Sequence, residues 1–108
     1  MSWKHLEERL QERAPEIADV VLMAVFLGRF NLNGNSGYIL VYSENTPVGI
    51  IPVLNGEPKT FLSKGMETYG SSLAVIRWKL FIRNGKVEFR ELTKPKIWNT
   101  ATGKWHST

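Results

Sequence analysis

The chain has 108 residues, 43% of them hydrophobic and 22% charged, with four Trp, three Tyr and five Phe and a formal net charge of +4. This composition predicts one globular domain over residues 1–108 and excludes an intrinsically disordered chain. The absence of cysteine excludes a disulfide framework, a thiol nucleophile and any thiolate metal site. The longest apolar run, residues 20–27, is far shorter than the roughly 20 residues of a membrane-spanning helix, so we predict a cytoplasmic protein that does not enter a membrane.

The first predicted element is an amphipathic helix that begins after Ser2 and ends near Arg13. Trp3, Leu6 and Leu10 recur at helical spacing, with polar residues on the remaining faces. Pro15 disfavours helical backbone at the residue before it, so the helix is expected to end there.

The next segment, residues 20–27, is apolar on every side, so periodicity does not distinguish a buried strand from a buried helix. Its length of eight residues and its three valines favour a central strand, which is our prediction. A loop at 31–37 then leads to two further strands, 38–43 and 48–54. Pro52 donates no hydrogen bond, which places the second of these strands at an edge or a bulge.

Residues 73–82 and 86–93 are predicted to form a hairpin, because Asn84-Gly85 is the dipeptide preferred in a two-residue type I′ turn. The turn fixes the register, and opposed residues share a face. One face is apolar: Ile76, Trp78, Leu80, Ile82, Val87 and Phe89. The remaining segment, 93–108, has no periodicity but contains Trp98 and Trp105, so we predict a C-terminal tail that docks on the domain.

The other face of the hairpin is basic: Arg77, Lys79, Phe81, Arg83, Lys86, Glu88 and Arg90. Lys79 faces Arg90 and Arg83 faces Lys86, and each pair of like charges costs a few tenths of a kcal/mol. Residues 77–96 hold seven basic and two acidic side chains, so the positive charge of the chain is concentrated here. An anionic partner would relieve this repulsion. The alternatives are a solvated face that discourages edge pairing, or a ring of Phe81 covered by the tryptophans of the tail.

We predict an α+β fold in which an N-terminal helix packs on a twisted antiparallel sheet of four to six strands, with an SH3-like or OB-like small barrel as the alternative. No motif in the chain indicates catalysis, a cofactor or a metal, and His5 and His106 lack further candidate ligands. The expected protein is therefore not an enzyme.

The leading functional prediction is a small nucleic-acid-binding module for single strands. Its predicted site residues are Arg77, Lys79, Arg83, Lys86 and Arg90 for phosphates and Phe81 for base stacking. The alternative is a protein-interaction module, an inhibitor, adaptor or subunit. It would engage an acidic or apolar surface, including a second copy of the chain, through the strand edge near Pro52 or the Trp-bearing termini.

Overall fold

Two helices precede all of the strands in the computed structural model, which describes residues 2–65 and 71–106. Helix α1 spans Ser2–Arg13, helix α2 spans Ala18–Leu27, and a 3₁₀ turn follows at Arg29–Leu32. The described strands are β1 (Gly37–Ser43), β2 (Thr46–Leu54), β3 (Glu57–Pro58), β4 (Leu62–Ser63), β5 (Leu73–Arg83), β6 (Lys86–Asn99) and β7 (Lys104–Trp105). No helix among these residues is long and apolar enough to cross a bilayer.

Helix α2 replaces the strand that we predicted for residues 20–27, so that prediction is wrong. Its buried side chains recur at helical spacing: Ala18, Val21, Ala24 and Val25. The helix begins two residues before the apolar run, and Asp19 in its first turn interacts favourably with the helix dipole. The length of the apolar run therefore did not distinguish a strand from a helix, because the outer face of this helix is apolar as well.

The sheet confirms the α+β class, with both helices packed on one of its faces. Its strand order is β3-β2-β1-β5-β6-β7, with β4 also paired to β2, and the sheet does not close into a barrel. It differs from the prediction in having seven strands and one parallel pair, β1 with β5. The parallel pair arises because the connection after β2, which carries β3 and β4, returns the chain to the free side of β1.

The core has two parts, one on each face of the sheet. The helices cover the larger part, in which Trp78 is fully buried and its Nε1 donates to the backbone oxygen of Asn31 at 3.0 Å. The smaller part lies on the face away from the helices and consists of Leu40, Ile50, Ala74, Ile76 and Trp98. Trp98 reaches it because β6 continues through the predicted tail to Asn99, and β7 pairs with its end. Of that tail, residues 107–108 lie outside the described residues.

A large bulge in β6 separates the two halves of the long hairpin. Ile76 pairs with Lys96 whereas Trp78 pairs with Glu91, so Arg77 of β5 and four residues of β6 (92–95) lie between these two pairs without partners in the register. Strand β5 is irregular at the same point, because Tyr38 pairs with Ile76 whereas Ile39 pairs with Trp78, which leaves Arg77 as an extra residue relative to β1. This extra residue reverses the alternation of side chains along β5, and Ile76 packs on the face opposite to Trp78. The prediction that these two residues share a face is wrong. Pro95 offers a physical reason for the extra residues in β6, since it has no N–H to continue a regular ladder.

Pro52 predicted an edge strand or a bulge, but strand β2 has neighbours on both sides and Pro52 pairs with Tyr38 in regular register. β1 runs along one side, and on the other side β3 pairs with Val53 and Leu54 and β4 pairs with Gly49 and Ile50. Pro52 lies between them, and its carbonyl oxygen accepts from the backbone nitrogen of Lys59 at 2.9 Å. The N–H and C=O of one residue point to the same side of a strand, so the N–H that Pro52 lacks would have pointed toward β3 and β4. Neither of these strands pairs with Pro52, and its missing donor therefore breaks no strand pairing.

Candidate nucleic-acid interface

The basic face of the hairpin belongs to the side of the sheet that the helices leave open. The type I′ turn forms as predicted, with positive φ at Asn84 (49°) and Gly85 (74°). It sets the register in which Lys79 pairs with Arg90 and Arg83 pairs with Lys86, so both like-charge pairs are present. The local sequence thus positions four cations on two adjacent strands.

Phe81 is not an open ring, because its side chain is only 6% exposed. It stacks on Tyr42 of the neighbouring strand β1, with ring centroids 4.7 Å apart and an angle of 18° between the planes. The guanidinium carbons of Arg83 and Arg90 lie 4.4 and 5.2 Å from its centroid. The arginines are thus the outermost groups here, and Phe81 serves as the surface on which they rest.

Lys79 lies between two aromatic rings further along the same face. Its Nζ is 5.7 Å from the ring centroid of Tyr42 and 4.9 Å from that of Trp105. Trp105 is 37% exposed and packs edge-on against Trp98, with centroids 4.9 Å apart. Desolvation lowers the pKa of Lys79, and the positive charges of Lys96 and Arg90 lower it further. The lowered pKa of Lys79 therefore reflects an excess of positive over negative side chains around it.

The groups just described form one continuous series, which we call the cation–aromatic row. Its members are Trp105, Lys79, Tyr42, Phe81, Arg83 and Arg90. At the end nearest the turn, Arg83, Lys86 and Glu88 border a concavity of about 380 Å³. The row combines cations with π surfaces along one open face of the sheet.

Glu88 is the one carboxylate that pairs with a cation of this face within the part of the chain that the structure describes. It accepts from Nε of Arg90 at 3.0 Å, and both side chains are about half exposed. Lys79, Arg83 and Lys86 form no ion pair with any described residue. A solvent-exposed pair of this kind is worth little, so most of the positive charge remains available to an anion.

Arg77 is not brought together with the other predicted site residues. It lies at the bulge, its Nε donates to the backbone oxygen of Ser36 at 2.9 Å, and its aliphatic stem packs closely over Gly37. A Cβ at Gly37 would meet that stem at 2.9 Å, so glycine makes room for the arginine. Arg77 therefore fastens the loop before β1 to the bulge, and we do not place it in the interface.

Sequence reasoning missed Tyr42 and Lys96 as members of this surface. It placed the tail tryptophans over Phe81 as one alternative, whereas Trp105 lies beside Lys79 and the ring of Phe81 is covered by Tyr42 and the two arginines. Tyr42 was out of reach because the parallel neighbour of β5 was unknown, although Tyr38, Leu40 and Tyr42 do alternate along β1. Lys96 and Trp105 lie in the segment that we treated as a tail without strands.

The described residues contain no group of three His, Asp or Glu side chains that could hold a metal ion. Comparison with known proteins gives no match to any family, and neither a curated protein nor a solved structure is significantly similar to the chain. The case for a function therefore depends on the geometry of the molecule itself.

Proposed function

We propose that this protein is a non-enzymatic, cytoplasmic module that binds single-stranded nucleic acid along the cation–aromatic row. The observation that supports this function is the placement of like charges beside one another over aromatic rings, with Glu88 as their one described acidic partner. A phosphate backbone lying across the face would neutralise these charges and relieve their repulsion.

The roles of the residues follow from their exposure. Arg83, Lys86 and Arg90 are exposed, and together with Lys79 they supply four contacts to phosphates. Bases stack on Trp105 and on the guanidinium planes of the two arginines, rather than on Phe81, whose ring is covered.

A single strand suits this surface better than a duplex. The cations of this face lie on the open side of a sheet, where unstacked bases can reach the rings, and they project from strands rather than from a helix that could enter a major groove. Stacking tolerates every base, so we expect weak sequence preference.

Fluorescence anisotropy with labelled oligo-dT and oligo-U tests the proposal. With four phosphate contacts and a slope of about −0.7 per contact, raising the salt fourfold should weaken binding roughly 50-fold. Arg83→Ala should make the salt slope shallower by about 0.7, and Trp105→Ala should weaken binding about tenfold through lost stacking.

Arg9→Ala is the matched control, because Arg9 is an arginine of α1, on the other side of the sheet, and its partner is Glu12. It removes the same formal charge and should leave affinity and slope nearly unchanged. Binding weaker than millimolar, or equal losses in R83A and R9A, would refute the proposed interface.

A further inference from the structure

The outer face of helix α2 is apolar and uncovered. Met23 is 58% exposed, Leu27 67% and Phe30, in the turn that follows, 74%. Together with Val20 these residues follow the spacing 3, 4, 3, which is the seam of a helix that packs against another helix. We call Val20, Met23, Leu27 and Phe30 the α2 stripe. A soluble domain gains nothing from leaving such a seam in water.

A groove of about 550 Å³ runs beside the stripe, between α2 and strand β6. Its far wall is formed by Val87 and Phe89, and Asp19 lies at the end near the start of the helix. The stripe residues, with Phe26 and Val87, are each between 40% and 74% exposed, and a contiguous exposed apolar patch of this kind marks an interaction surface.

We propose that the α2 stripe docks against the same stripe of a second copy of this chain, so that the two α2 helices pack antiparallel about a two-fold axis. The spacing 3, 4, 3 reads the same in both directions. In an antiparallel pair, Val20 of one copy therefore lies opposite Phe30 of the other, and Met23 lies opposite Leu27. This self-complementarity is what a closed two-fold dimer requires.

The charges at the two ends of the stripe fit the same arrangement. Asp19 is exposed at the beginning of α2. Arg29 follows the end of the helix, where its guanidinium carbon lies 4.1 Å from the ring centroid of Phe26 and 4.5 Å from that of Phe30. An antiparallel pair brings Asp19 of each copy beside Arg29 of the other, whereas a parallel pair would bring like charges together. The groove leaves room for the partner helix to lean toward Val87 and Phe89.

Sedimentation velocity over a range of protein concentrations, without nucleic acid, measures the dimer directly. We expect a concentration-dependent monomer–dimer equilibrium, weakened about 100-fold or more by Leu27→Glu, because each interface would then bury two carboxylates. The matched control is Leu54→Glu, which changes a leucine of similar exposure (54%) at the end of β2, outside the stripe and the groove. It should leave the equilibrium unchanged. A wild-type chain that stays monomeric, or equal weakening by L54E, would overturn the proposal.

Disulfide cross-linking tests the antiparallel order. Because the chain has no cysteine of its own, only the introduced cysteines can form disulfides. An oxidised mixture of M23C and L27C should give more disulfide-linked dimer than either variant alone, because these two positions oppose each other across the proposed axis. L54C alone should give almost none. A mixture that cross-links no better than L54C would contradict the arrangement even if the chain dimerises.

Discussion

The basic face of the sheet and the outer face of α2 use phenylalanine in opposite ways. Phe81 lies in the middle of a charged surface and is almost completely covered, by Tyr42 below it and by two arginines above it. Phe30 lies at the end of an apolar stripe and is 74% exposed. Residue type alone would have suggested the reverse, with an exposed stacking ring on the basic face and a buried ring in the apolar segment.

The two surfaces differ in which of their groups, charged or apolar, are packed within the chain. On the basic face, the apolar groups are packed within the chain and most of the described charges have no acidic partner, which is why we propose an anion for it. On α2, apolar side chains are exposed, which is why we propose an apolar partner for it. The two surfaces lie on different sides of the sheet, and both can be occupied in one molecule.

Replacing each of the two phenylalanines with alanine should give the largest difference between the two surfaces. Phe81→Ala should lower the free energy of unfolding by about 3–5 kcal/mol, because the change empties a packed site beneath the arginines. Phe30→Ala should change it by less than about 0.5 kcal/mol, since the ring is already in water. Urea denaturation of monomeric protein measures both. Similar losses for F81A and F30A would show that the two rings are not packed as differently as described.

The half of the hairpin next to the turn, from Trp78–Glu91 to Arg83–Lys86, was predictable from the sequence because a local signal specifies its register. Asn84-Gly85 dictates the turn, and the turn dictates which cations face each other. No such local signal exists for the neighbour on the other side of β5. The stack of Tyr42 on Phe81 depends on a parallel pairing between strands that lie thirty or more residues apart in the chain.

Helix α2 escaped prediction for a different physical reason. A helix that buries one face normally shows a polar opposite face, and that contrast is the signal that sequence reasoning reads. Here the opposite face is apolar, so the periodicity vanishes and the segment resembles a buried strand. If the stripe docks on a second copy, the outer face of α2 is apolar because it forms the interface. The failed prediction and the proposed dimer then have one cause.

Relieving a like-charge pair should separate stability from binding on the basic face. Lys86→Gln removes the cation opposite Arg83, so the free energy of unfolding should rise by about 0.2–1 kcal/mol. Affinity for oligo-dT should fall at the same time, because one phosphate contact is lost. Urea denaturation and anisotropy on the same protein measure the two effects.

The matched stability control for this change is Lys94→Gln. Lys94 is an exposed lysine of the same strand, but it lies in the bulge, where the register gives it no paired residue on β5. It should leave the free energy of unfolding nearly unchanged. A K86Q variant that is less stable than the wild type would mean that the pair is not repulsive, and the main reason for an anionic partner would be lost.

The smallest expected effect is the pH dependence that Lys79 gives to the basic face. Its pKa is lowered below the ordinary 10.5 by desolvation and by the charges of Lys96 and Arg90, so its protonated form costs the folded state stability. Near neutral pH, Lys79→Met should therefore be slightly more stable than the wild type. As the pH rises through the lowered pKa toward 10.5, the folded chain loses this proton before the unfolded chain does, and the wild type gains stability relative to the variant. Urea denaturation of both proteins at pH 7 and at about pH 10 should show the gap closing, and a gap that stays constant or widens would contradict a strained ammonium at this position.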